Sequence, residues 1–187
     1  MKHRIALALI LLAVLTRLLP HPHNFTPIGA ISLFGAAVFH RPLLALAIPL
    51  LSLFLSDLYI NNVVYADFYN HFVWFGSEWV YLAFGLVMGL GRWLLHRSIT
   101  AGRVGVASLL ASAVFFLVTN FGVWVGSGMY PHTPTGLLAC YVAGLPFFGN
   151  TLLGDLLYSA ALFGGYSWAT RYWRQPQQVP AAQQKID

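Results

Sequence analysis

RWLLHRSITAGRVGVASLLASAVFFLVTNFGVWV, residues 92–125, puts three arginines into its first twelve positions and no charge into the next twenty-two. An uncharged apolar run of that length reads as a membrane-spanning helix. The basic segment ahead of it reads as its cytoplasmic end, because short Lys/Arg-rich loops stay inside. Outward from this stretch the same alternation recurs. Lys2 and Arg4 precede the first apolar run, Arg41 sits in the second turn, and Arg171, Arg174 and Lys185 lie in the tail. Together with Arg92, Arg97 and Arg103 these are nine of the ten Lys and Arg residues, and only Arg17 falls on the opposite side. The pattern predicts an all-α, polytopic membrane helix bundle of about six transmembrane helices with both termini cytoplasmic.

Composition supports that class. With 58% hydrophobic and 8% charged residues in 187, the chain has too little polar surface to cover a soluble globule. The net charge of +5 belongs to the cytoplasmic fringe of the bundle, so its natural partner is membrane lipid with anionic headgroups rather than nucleic acid. One cysteine, Cys140, excludes an intramolecular disulfide and reads as a small buried hydrophobe. The N-terminus imitates a signal peptide, but Arg17 and Pro20 stand where a small-residue cleavage site would be, so residues 4–19 are expected to remain as the first span.

The remaining spans are expected at about residues 27–40, 43–56, 72–95, 103–125 and 150–172. The second and third, at fourteen residues each, would rise only about 21 Å against a hydrocarbon core of about 30 Å. Residues 57–71 mix Asn, Asp, Tyr and His and are expected to cover the bundle mouth as a gate. The apolar stretch 136–148 is expected to lie on, or dip into, the outer face. Residues 1–174 form a single transmembrane domain in this reading, and 175–187, rich in Gln, Pro and Ala, a disordered cytoplasmic tail. Small residues four apart (Gly85/Gly89, Ala107/Ala111, Ser108/Ser112, Ala160/Gly164, Ala161/Gly165) are expected to pack helix against helix.

Candidate binding residues gather on the outer side. Trp74, Glu78 and Tyr81 would share one face of the fourth helix at i, i+4 and i+7. Asn120 and Trp124 are one turn apart near the outer end of the fifth, and Thr151, Asp155 and Tyr158 form a stripe at the start of the sixth. Three polar–aromatic stripes at one depth predict a shared cavity. Asp57 would end the third helix, where a carboxylate meets the negative end of the dipole and needs compensation. Arg17 is the available cation, by pairing with Asp57 or Asp155 or by snorkelling to headgroups. His21, His23, His71 and His132 also lie outside, but without the i, i+4 spacing of a zinc pair, so no metal ligands are expected. No phosphate-binding loop occurs, and lysine stands only at positions 2 and 185, so the chain is not expected to be its own P-loop ATPase. No Gly-x-Ser-x-Gly elbow occurs either.

NFTPIGAISLFGAA (24–37), PLLSLFLSD (49–57), LVTNFGVW (117–124) and GNTLLGD (149–155) resemble an uncharacterised bacterial family of membrane transport proteins, over most of residues 5–170. That family in turn resembles the S-components, the substrate-binding subunits, of energy-coupling-factor (ECF) vitamin transporters. The resemblance implies six helices, outer loops that close over a vitamin or metal, and a separate energising module of ATPases and a coupling subunit. The first helix carries Ala6, Ala8 and Ala13 without the Ala-x-x-x-Ala spacing by which S-components often dock that module, so a solitary transporter stays open.

The expectation is a substrate-capture subunit or transporter in the bacterial cytoplasmic (inner) membrane, taking up a small, vitamin-like heterocyclic nutrient from the extracytoplasmic side. Trp74, Trp124 and Tyr130 would stack on it, and Asn24, Asn120 and Asn150 would hydrogen-bond. Glu78, Asp57 and Asp155 would orient or neutralise a cationic group. No cofactor and no catalytic residue are expected. Two alternatives are a transporter of a metal ion or metallo-cofactor using the outer histidines, and a membrane-embedded enzyme or accessory factor using Glu78 and Asp155.

Overall fold

A computed structural model describes residues 2–172. The tail at 175–187, together with Arg174 and Lys185, lies outside the described residues. Six α-helices follow one another: α1 (Lys2–Arg17), α2 (Ile28–Val38), α3 (Pro42–Tyr59), α4 (Glu78–Leu95), α5 (Ala101–Gly126) and α6 (Pro134–Tyr172). Four segments are long and apolar enough to cross a membrane: Pro42–Val64, Glu78–Leu95, Ala101–Gly126 and Pro134–Tyr172. Their outer surfaces carry exposed leucines, such as Leu55, Leu86, Leu117 and Leu157, where a soluble protein would carry charge. The chain has the build of a multi-pass membrane protein.

The short helix α2 is the centre of the bundle. Ten of its eleven residues are buried, from Ile28 to Val38 with only Ala37 partly open, and it packs against all five other α-helices. Its rise of about 16 Å is half a bilayer core. A helix so apolar on every face is stable only when wrapped by others. Gly91 lets α4 approach closely, since a Cβ there would meet Leu33 Cδ2 at 3.1 Å and the Ala36 Cβ at 3.2 Å. At the far end of α2 the Arg92 guanidinium donates to the carbonyls of Ala36 (3.4 Å), Phe39 (3.1 Å) and His40 (3.2 Å), placing a cation where the helix dipole is negative.

Helix ends segregate charge. The basic end carries Lys2, Arg4, Arg41, Arg92, Arg97, Arg103 and Arg171, and His3 stacks on Phe39 there at 5.7 Å. The opposite end carries Arg17, Asp57, Asp67, Glu78, His21, His23, His71 and His132.

Three expectations need correction. The third helix is long rather than short: it runs to Tyr59 and continues through a wider π turn, Ile60–Val64, making a largely apolar segment of 23 residues and about 34 Å of rise. Part of the expected gate is therefore helix, and its base is tied down, because the Asn62 side-chain amide donates to Val73 O (2.7 Å) and accepts from Val73 N–H (2.8 Å). The fourth helix begins at Glu78, not near residue 72, with Ser77 extended ahead of it. Residues 136–148 are not a separate surface element but the first part of α6, a 39-residue helix.

That first part packs on the outer end of α5 but is not parallel to it. Asp155 bonds Ser112 and Cys140 bonds Asn120, so fifteen residues of α6 match eight of α5. The rises are about 22 Å and about 12 Å, so the outer part of α6 leans across its partner. Pro146, between the two contacts, lacks the N–H that would hold that turn straight.

The small-residue pairs divide. Ala107, Ala111, Ser108 and Ser112 are fully buried where α5 meets its neighbours. Gly85 and Gly89 have nothing within 4 Å of a built Cβ, so they do not hold a helix contact.

Candidate functional site

The polar half of the bundle is organised by two carboxylates with different surroundings. At the end of α3, Asp57 is pinned on both oxygens: Arg17 Nη2 lies 2.7 Å from Oδ1, and the Tyr81 hydroxyl donates to Oδ2 at 3.1 Å. Arg17 also donates to the Ser56 hydroxyl, while Thr16 and the Tyr158 hydroxyl meet at 2.8 Å. The C-terminus of α1 is thus tied to α3 and α6, and Tyr81 brings α4 to the same carboxylate. The cost of placing Asp57 at a negative helix end is offset by this pairing.

Asp155 is 3% exposed and sits at the start of α2. Its Oδ2 accepts from the Ser112 hydroxyl at 2.7 Å, and the carboxylate accepts the backbone N–H of Ala30. The first N–H groups of a helix have no partner within it, and the dipole there is positive, so a carboxylate from another helix is a natural cap. Gly29 makes the approach possible, since a Cβ on it would run into the Asp155 side chain.

A hollow leads to this carboxylate from the acidic end. Its wider part, about 410 Å³, is lined by Asn24, Phe115, Asn120, Tyr130, Phe147 and Thr151 among others. Its deeper part, about 150 Å³, is floored by Arg17, Thr26, Gly29, Phe84 and Asp155. Asn24, Val80, Phe115 and Thr151 line both, so the two hollows adjoin. Volume, aromatic walls and a few convergent polar groups are the marks of a small-molecule site. Asn24 takes φ 63°, a left-handed conformation that Asn tolerates better than most residues, and this turns the chain into α2 beside the hollow. Two other hollows, of about 570 and 740 Å³, lie toward the basic end and contain no carboxylate.

Of the nine expected ligand residues, Asn24, Asn120, Tyr130 and Asp155 line this space. The other five are placed differently. Asp57 is held by Arg17 and Tyr81. Trp74 precedes α4, is 64% exposed and rests edge-on against Phe72, so the face drawn through Trp74, Glu78 and Tyr81 does not exist. Glu78 is exposed in the first turn of α4, where the helix dipole favours it without a ligand. The Trp124 indole N–H donates to Pro131 O at 3.0 Å and its ring meets His132, fastening the α5–α6 turn. Asn150 donates to His23 O at 3.0 Å and ties α6 to the loop before α2.

The sequence pattern does not single out Ser112, Thr26, Phe115 or Phe147, which the structure places at this site. Ser112 carried a signal, its four-residue spacing from Ser108, but that spacing reads equally as packing. The outer histidines are dispersed: His21 bonds backbone carbonyls, His23 meets Phe147, His71 meets Tyr69 and His132 meets Trp124. Among the described residues no three His, Cys, Asp or Glu side chains gather as a metal site would require.

No curated protein and no solved structure matches the chain. A family model does, over residues 1–179, so the protein belongs to the family of unknown function DUF6580.

Proposed function

We propose that the protein is a solute-capture subunit or transporter of the bacterial inner membrane, which takes a small nutrient from the extracytoplasmic side into the hollow above Asp155. The carrying observation is a pair of adjoining hollows, one reaching Tyr130 and Asn120 near the outer loops and the other Arg17 and Asp155 at the start of α2. The basic end would face the cytoplasm, with both termini there and six membrane segments. In that arrangement α2 crosses only together with the irregular residues 18–27, a broken segment of the kind that lines a polar cavity inside a bundle.

The walls favour a flat, partly aromatic ligand. Phe115, Phe147 and Tyr130 offer ring faces, while Asn24, Asn120 and Thr151 offer donors and acceptors near them. Six helices and an outward hollow also support an architecture like the ECF S-components, with or without an energising module. An acid–base enzyme finds less support, because Glu78 is exposed while Asp155 is buried. The outer histidines, being dispersed, give no particular observation in favour of metal transport.

Purification in mild detergent followed by native mass spectrometry tests the proposal. A capture protein should carry a bound small molecule, and Asn120→Ala with Thr151→Val should lose it. A cleanly empty protein that binds nothing from a nutrient mixture would contradict the reading.

A further inference from the structure

At the opposite, basic end, the last turn of α4 and the first turns of α5 enclose a hollow of about 570 Å³ lined by Arg92, Trp93, His96, Arg97, Arg103 and Val106. Three arginines and a histidine are among the residues that line it, and the only ion pair among the described residues, Arg17 with Asp57, lies at the other end. Among the described residues no carboxylate neutralises this charge. Two of the arginines are held in place by backbone: Arg92 by the carbonyls of Ala36, Phe39 and His40, and Arg103 by Leu94 O at 3.5 Å. A guanidinium has five donors in a planar fork, so each keeps N–H groups for a further acceptor. Arg97 is exposed.

We propose that this hollow binds the phosphate headgroup of an anionic phospholipid. Phosphate is the acceptor that matches several neighbouring guanidiniums. A phospholipid, rather than free phosphate, is indicated by what borders the charge. Trp93 stands 75% exposed beside it, as interfacial tryptophans do. Leu86 on α4 and Val106 and Leu109 on α5 are exposed above it and offer an apolar track for acyl chains. Basic pockets between helices on the cytoplasmic side are suited to anionic headgroups. The inference rests on the membrane reading of the bundle but not on the outer cavity, so either can fail alone.

The test uses the full-length protein in bilayer discs of phosphatidylcholine containing a minor fraction of phosphatidylglycerol, with lipids retained on extraction counted by native mass spectrometry. Wild type should retain phosphatidylglycerol in preference to phosphatidylcholine. A solvent-accessible guanidinium that hydrogen-bonds the phosphate contributes about 1 kcal/mol, or about fivefold. Arg97→Gln, an exposed substitution, should therefore weaken retention about fivefold, and adding Arg103→Gln should bring the loss to about 25-fold. Lys2→Gln with Arg4→Gln removes two charges at the same end but outside the hollow, and should change little. Equal losses in that control would show diffuse surface charge and overturn the site. So would unchanged retention in Arg97→Gln, or inorganic phosphate displacing the lipid at comparable concentration.

Discussion

Asp155 and Gly29 occupy one position between them: the carboxylate from α6 fills the space a side chain on α2 would need. This contact joins the central helix to the α5–α6 pair at the floor of the outer cavity, and Ser112 completes it from α5.

Gly29→Ala should therefore displace the carboxylate and cost about 1–3 kcal/mol of stability, as overpacking does. Asp155→Ala should cost a similar amount by leaving the Ala30 N–H without its acceptor. Because the second change vacates the space the first requires, the double variant should lose clearly less than the sum. Thermal unfolding in detergent of the four proteins closes the cycle, and strict additivity would rule out the contact.

Arg17 and Asp57 are nearly buried, with side chains 14% and 10% exposed. Asp57→Asn or Arg17→Gln should each destabilise by about 3–5 kcal/mol, since the remaining partner is left charged in a site built for a pair. Removing both should cost less than either change suggests, and Tyr81→Phe only about 1 kcal/mol. The same unfolding measurement decides, and equal, independent losses would show that the pair does not act as a unit.

For ligand retention the structure separates residues that look equivalent in the sequence. Asn120→Ala and Thr151→Val should weaken binding about ten- to a hundredfold, the worth of a desolvated hydrogen bond. Trp74→Ala and Glu78→Gln should leave it unchanged, because both residues stand outside the cavity. Trp124→Ala should lower stability through the α5–α6 turn instead. Binding losses at Trp74 and Glu78 with silence at Asn120 would invert the site.

Much of this was legible from residue types. Uncharged runs and the arginines that punctuate them give the long helices, since both follow from the bilayer as solvent. Asn120 and Asp155 read as one level in the sequence, but Asp155 lies beside Ser112, about 12 Å along α5 from Asn120. The failures share a cause. Trp74 lies at helical spacing from Glu78, but Gly76 and an extended Ser77 intervene, and periodicity does not register where a helix starts. Pro146 reads as a break, whereas a membrane helix tolerates it when neighbours hold the freed carbonyl. Asp57 and Asp155 are both outer carboxylates, and only packing shows that Arg17 takes one while α2 takes the other.

Membrane orientation follows from the two charged ends. In a Cys140→Ala background, cysteines at exposed Asn70 and Ser127 should react with an impermeant thiol reagent in intact cells, and one at Ser98 only after the cells are opened. The reverse order would turn the bundle over.

The central claim, an outward-opening cavity that reaches the start of α2, is tested most directly at Thr151, which borders both its wider and its deeper part. Thr151→Cys in the Cys140→Ala background should react with a small, charged thiol reagent applied to right-side-out vesicles, and the bound nutrient should slow that reaction. Reaction confined to inside-out vesicles would contradict the account.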